Sequence, residues 1–87
     1  TLAFFHASWC SICKEQRPAV EAASEDSQLD FAEFVEVEYE DNKEIVDEHN
    51  VPGFPTILIF KDGIERERLT GKGHSQQKLT DLLLKHE

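Results

Sequence analysis

Trp9-Cys10-Ser11-Ile12-Cys13 is the stretch on which the fold turns. Before it, Leu2 to His6 is apolar on successive residues, the pattern of a central strand covered on both sides. After it, Ile12, Cys13, Gln16, Val20 and Ala23 recur near the helical period, and that pattern fades between Ser24 and Asp30. A C-x-x-C pair at the passage from strand to helix is the context in which such a pair is redox-active. These are the only two cysteines in the chain, too few to staple a scaffold. A bridge closing so short a loop also removes little denatured-state entropy, which argues for chemistry over structure.

Working outward, Pro18 lies inside the helical pattern and is expected to bend the helix without ending it, because Ala19 to Ala23 still favour helix. Phe31 to Tyr39 reads as a strand, with Val35, Val37 and Tyr39 on one face and Glu36 and Glu38 on the other. Asp41 or Asn42 can cap a short helix running to about His49. Val51-Pro52-Gly53-Phe54-Pro55 then continues no regular element. Thr56 to Lys61 is an apolar strand, Asp62-Gly63 a two-residue hairpin turn, and Ile64 to Leu69 a more polar returning strand. Gly71 and Gly73 break the chain, Ser75 caps a last helix, and Leu79, Leu82 and Leu83 form its apolar stripe up to Lys85. The order is βαβαββα. A right-handed crossover makes the first two strands parallel, and the hairpin completes a mixed four-stranded sheet with helices on both faces, an α/β fold.

At 87 residues the chain is a single domain with a small core. Hydrophobic residues at 39% and charged residues at 31% suit a globular protein and argue against disorder. Apolar runs such as Ile57-Leu58-Ile59-Phe60 fall far short of the roughly 20 residues that span a bilayer, and no charged-then-apolar leader opens the sequence. No membrane association is expected. A net charge of −9 repels nucleic acid and anionic lipid and favours neutral or basic partners. The sequence holds no Met and begins at Thr1, so a processed form or excised fragment is expected.

The chemistry follows from position. Cys10 lies beside the unpaired amides and positive dipole end of the first helix, which favour a thiolate and make it the nucleophile. Cys13, one turn deeper, is close enough to form a disulfide but shielded, so it resolves the intermediate that Cys10 forms. Lys14 and Arg17 add positive charge that Glu15 partly offsets. A zinc site built on His6, Cys10 and Cys13 would lack the fourth ligand that structural sites require, and no metal is expected. His6 reads as a packed or partly exposed strand residue, and His49, His74 and His86 as surface residues.

Phe5, Ala7-Ser8-Trp9, Cys10-Ser11-Ile12-Cys13-Lys14 and Pro18 together resemble the active-site strand and helix of thioredoxins. Downstream, Gly53-Phe54-Pro55-Thr56, Phe60-Lys61-Asp62-Gly63 and Gly71 resemble that family's Gly-x-Pro-Thr loop, hairpin and substrate-side glycine, in the same order. The resemblance covers nearly the whole chain and implies a thiol–disulfide oxidoreductase acting on protein disulfides, with a redox partner such as a reductase and no bound cofactor. It further implies that Pro55 is a cis-proline packed against the cysteines. Phe54 would lend its backbone to a substrate strand, with Trp9 and Gly71 completing the substrate side. A monomer is expected, with the cytoplasm the first expectation for its location and a periplasmic or secreted setting the other. The rival function is a thioredoxin-like adaptor or chaperone module binding extended segments beside Phe54 and Gly71.

Three departures stand out. The family usually begins with a further strand and helix before the active-site strand, whereas this chain starts almost on it. Phe4 replaces the buried acid common six residues before the first cysteine, and Glu36 stands where a lysine commonly pairs with that acid. Glu36 is accordingly the candidate for a relocated proton acceptor. Ser11-Ile12 replaces the usual Gly-Pro between the cysteines, positions that tune the redox potential.

Overall fold

The two apolar runs of the chain become the two inner strands of one sheet. In the computed structural model, which describes residues 1–87, Leu2–His6 forms β1 and Thr56–Lys61 forms β3. The flanking strands are β2 (Phe34–Glu38) and β4 (Ile64–Thr70), and the helices are α1 (Ser11–Ser24), α2 (Lys43–Glu48) and α3 (Gln76–Lys85). Single 3-10 turns occupy Ser27–Leu29 and Tyr39–Asp41. The sheet order is β2-β1-β3-β4, with β1 parallel to β2 and antiparallel to β3, and β4 antiparallel to β3. This is the expected mixed sheet in the expected βαβαββα order.

Because successive strand residues point to opposite faces, β1 serves two cores. Leu2 and Phe4 join Val20 and Ala23 of α1, Leu79 and Leu83 of α3, Ile57, Ile59 and both cysteines in a cluster of twelve buried residues. Ala3 and Phe5 join Val37, Val46 of α2 and Leu58 in a cluster of five. Helices therefore cover both faces, two on one side and one on the other.

The turns follow their chemistry. Asp62 (φ 56°) and Gly63 (φ 76°) both take the left-handed conformation that a two-residue hairpin of right-handed twist demands. Ser75 caps α3 by accepting the Lys78 N–H at 3.2 Å. α1 continues from Ser11 to Ser24 through Pro18, which lacks the N–H to donate a helix hydrogen bond of its own.

Several sequence expectations are revised. β2 begins at Phe34 and not at Phe31, because the preceding residues turn to bury Leu29, a turn started by Asp26 accepting the Gln28 N–H at 2.9 Å. Phe31 is consequently exposed. Tyr39 lies beyond the strand, and Val35 is exposed although it shares a face with Val37, since β2 is an edge strand and α2 is too short to cover it. Asn42 stands at the N-cap of α2, but its side chain turns back to donate to the Glu38 carbonyl at 3.0 Å and caps no helix N–H. β4 runs one residue past Leu69. Ile12 falls off the buried stripe of α1 and is exposed, because the core meets the Cys13, Gln16, Val20 and Ala23 line. His49, His74 and His86 lie at the surface but are half-buried there by their contacts. His49 stacks edge-on against Phe5 and Phe60, His74 Nε2 bonds the Thr70 carbonyl, and His86 Nε2 lies 2.7 Å from Glu67.

Candidate active site

Strand register collects four loops at one end of the sheet. β1 and β2 run parallel and finish together at His6 and Glu38. β3 starts at that end with Thr56 opposite Phe5, and β4 finishes there with Thr70 opposite Thr56. The connections around Ala7–Cys10, Tyr39–Asn42, Gly53–Pro55 and Gly71–Ser75 therefore converge, and both cysteines lie among them.

Cys10 is the N-cap residue of α1, with φ −92° and ψ 103°. Its N–H donates to the Ala7 carbonyl at 3.1 Å, and its Sγ accepts the Cys13 N–H at 3.3 Å. The nucleophile expected from the sequence thus occupies the cap position, where free helix N–H groups and the dipole favour negative charge. Both cysteines are free thiols and both are buried, Cys10 at 6% exposure and Cys13 at 2%. Burial pushes the Cys13 thiol up from 9.0 to about 11, reinforced by its hydrogen bond with Cys10 and opposed by a backbone hydrogen bond from Ala7 and by the Arg17 charge. Cys13 consequently holds its proton at neutral pH.

Arg17, one turn beyond Cys13 on the same helix, lies 5.4 Å from the centre of the Phe4 ring, with Nη2 3.4 Å from His6 Nδ1. It is ion-paired with Glu36, whose side chain is half-exposed. Glu36 pairs with Phe4 across the β1–β2 register, so it shares the cysteine-bearing face. The charges that act on Cys13 are those of Cys10 and Arg17. His6 stacks on Phe4 at 5.3 Å, and no group of three His, Cys, Asp or Glu side chains gathers to hold a metal.

The proline loop closes the other side. The Phe54–Pro55 peptide is cis and Pro55 is buried. Thr56 Oγ1 donates to the Gly53 carbonyl at 2.7 Å, which ties the loop to the start of β3. Phe54 packs against the core that holds both cysteines, with its ring 5.9 Å from Trp9 edge-on and 5.3 Å from Tyr39. Trp9 itself is 66% exposed. The Gly71 N–H, on a residue at φ 76°, donates to the Pro55 carbonyl at 2.9 Å. A shallow cleft of about 260 Å³ opens over Phe54, Pro55, Thr70 and Gly71. A larger hollow of about 550 Å³ lies at the opposite end, by Thr1, Asp62 and Glu87, and touches neither cysteine.

Sequence reasoning missed three members of this neighbourhood. Tyr39 extends the aromatic wall, Glu40 accepts a hydrogen bond from Ser8, and Gln16 is buried beneath the Gly71–His74 segment. Only Gln16 left a signal: a polar residue on the apolar line of a helix.

The thioredoxin family model matches residues 1–85. A thioredoxin of Mycoplasma genitalium is 34% identical over 67 residues, 77% of this chain and 64% of that protein. A thioredoxin of Chlamydia trachomatis is 31% identical over 83 residues, 95% of this chain and 78% of that protein. A putative protein disulfide-isomerase of Schizosaccharomyces pombe is 31% identical over 67 residues, but these are only 14% of its length, so the chain spans less than two thirds of some relatives. Among solved structures, Fasciola hepatica thioredoxin superposes with a TM-score of 0.83 at 30% identity, covering 99% of this chain and 79% of that one. With the cysteine pair on its helix end, the cis Phe54–Pro55 bond and matches along almost all of its length, the chain belongs to the thioredoxin family.

Proposed function

We propose that the protein is a thiol–disulfide oxidoreductase that exchanges its Cys10/Cys13 dithiol with disulfides of protein substrates. The observation that carries this is the asymmetry of the two sulfurs: Cys10 caps α1, while burial keeps Cys13 protonated until it is needed. The Cys10 thiolate attacks one sulfur of a substrate disulfide, forming a Cys10–substrate bond as the substrate S–S bond breaks and its other sulfur leaves as a thiolate that takes up a proton. Cys13 then loses its proton and attacks Cys10 Sγ, forming the Cys10–Cys13 disulfide and releasing the second substrate sulfur, which is protonated in turn. The protein's dithiol is oxidised by two electrons and the substrate disulfide is reduced by two. The reverse sequence oxidises a substrate dithiol, and a redox partner such as a reductase resets the pair.

Trp9, Phe54, Pro55 and Gly71 form the substrate side, with an extended segment lying in the cleft over Phe54 and Gly71. Glu36 is the candidate acceptor of the Cys13 proton. Its pairing with Arg17 gives it a second route, holding the guanidinium near Cys13. Replacing Glu36 by Gln removes the carboxylate's basicity and leaves its length. An acceptor role predicts a shifted pH profile for closure of the Cys10–Cys13 disulfide, and an unmoved profile rules it out.

Reduction of insulin disulfides with dithiothreitol as electron donor tests the function. The chain should accelerate the reaction and Cys10→Ser should abolish the acceleration. If the two proteins behave alike, the fold serves as an adaptor that binds extended segments.

A further inference from the structure

Gln16 is one of only three buried polar residues, at 1% exposure, and it spends both ends of its amide on one backbone residue of a distant loop. Its Nε2 donates to the His74 carbonyl at 2.7 Å, and its Oε1 accepts the His74 N–H at 3.1 Å. An amide side chain carries an adjacent donor and acceptor, with no ionisation needed, and can satisfy both groups of one residue at once. A buried amide with either end unmet would be destabilising, so the pair of bonds fixes the geometry tightly.

What is held matters more than how. Gln16 lies one turn beyond Cys13 on the buried line of α1. His74 ends the short segment that starts at Gly71, and the Gly71 N–H is bonded to the Pro55 carbonyl. Gly71 and Gly73 both take left-handed backbone conformations, at φ 76° and 90°, so the segment is sharply folded between two anchors. One anchor is the proline loop and the other is the helix that carries the sulfurs. Glu15 and Lys72 add an exposed ion pair between the same two pieces.

We propose that Gln16 is a positioning residue for protein substrates, clamping the Gly71–His74 loop to the cysteine helix so that the cleft and the sulfurs keep their spacing. This rests on the oxidoreductase reading and extends it. A displaced cleft wall would misalign a bound polypeptide against Cys10. A disulfide too small to reach the cleft would not sense it.

Gln16→Met keeps the length and packing of the side chain and removes both bonds. Prereduced proteins are mixed with insulin or with hydroxyethyl disulfide, and the quenching or recovery of Trp9 fluorescence is followed in a single turnover. For Gln16→Met the rate with insulin should fall about tenfold, and the rate with hydroxyethyl disulfide should stay within about twofold of the native protein. Gln16→Asn, which keeps the amide but is one methylene too short to meet both His74 groups as Gln16 does, should show a smaller loss with insulin and serves if the Met variant does not fold. Equal losses with both disulfides, or none with insulin, would reduce Gln16 to a purely structural contact and overturn the inference. A native protein no faster with insulin than Cys10→Ser would instead sink the oxidoreductase reading and this inference with it.

Discussion

The face of the sheet under α1 and α3 gathers twelve buried residues, both cysteines among them, whereas the face under α2 gathers five. The two sides are held differently. On the crowded side, apolar packing does most of the work, with Gln16 as a buried polar link. On the lean side, α2 is only six residues long and anchors one buried residue, Val46. There polar stitches compensate: Arg68 of β4 donates to the carbonyls of His49 and Asn50 at the end of α2, and Asn42 bridges back to β2. The contrast places the larger buried cluster around the two sulfurs, and the smaller one meets the site through Phe54 and Tyr39, which pack against both.

Phe4 and Phe5 break or sharpen that contrast most directly, since neighbouring, equally buried rings face opposite sides. Phe4→Ala should destabilise by about 4 kcal/mol and Phe5→Ala by about 3 kcal/mol in urea unfolding. The ranking of the faces is wrong if Phe5→Ala proves the more damaging.

A second test uses the buried thiol of the crowded side. Cys13 is raised from 9.0 to about 11 in the folded state, so above pH 9 the unfolded chain gives up this proton first. The corresponding stability is fully present below pH 9 and is lost as pH climbs through about 11. Reduced protein should therefore lose stability over that window, and Cys13→Ala should remove this part of the pH dependence. Identical pH profiles for the two proteins would mean that the thiol is not held neutral by burial.

The smallest effects concern helix ends. Ser75→Ala, on the crowded side, deletes a true cap and should cost about 1 kcal/mol. Asn42→Ala, on the lean side, deletes only a bond to the Glu38 carbonyl and should cost about 0.5 kcal/mol, read as a smaller drop in melting temperature. Equal drops would mean that α2 depends on its first residue as much as α3 does.

That division does not govern what could be read from the sequence. β1 and β3 were legible to the residue because inner strands are apolar on both faces, and the Asp62-Gly63 turn and the Ser75 cap were legible because their backbone demands select few residue types. The resemblance pointed to a cis bond before Pro55, and the structure has one there. The misreadings fall on both sides, at the start of β2 and the cap of α2 but also at Ile12 of α1 and at His74 and His86 beside α3. From Phe31 to Tyr39 an alternating pattern stood for a longer strand, but a half-solvated edge strand places few constraints on its residues. The role of Asn42 depended on where a side chain turns, and composition does not encode that. Within the site, Gln16 and Tyr39 were opaque because their significance lies in partners 58 and 15 residues away, reached only through the fold.

β2 and β4 are the outer strands of the four-stranded sheet, and both are heavily charged. β4 carries Glu65-Arg66-Glu67-Arg68 in succession and β2 carries Glu36 and Glu38. A second molecule aligning a strand there would have to strip water from charges and match their signs in register. Concentrated solutions should accordingly resist the strand-by-strand accretion to which bare β margins are prone, while the cleft by Pro55, at the strand ends, stays open to a guest.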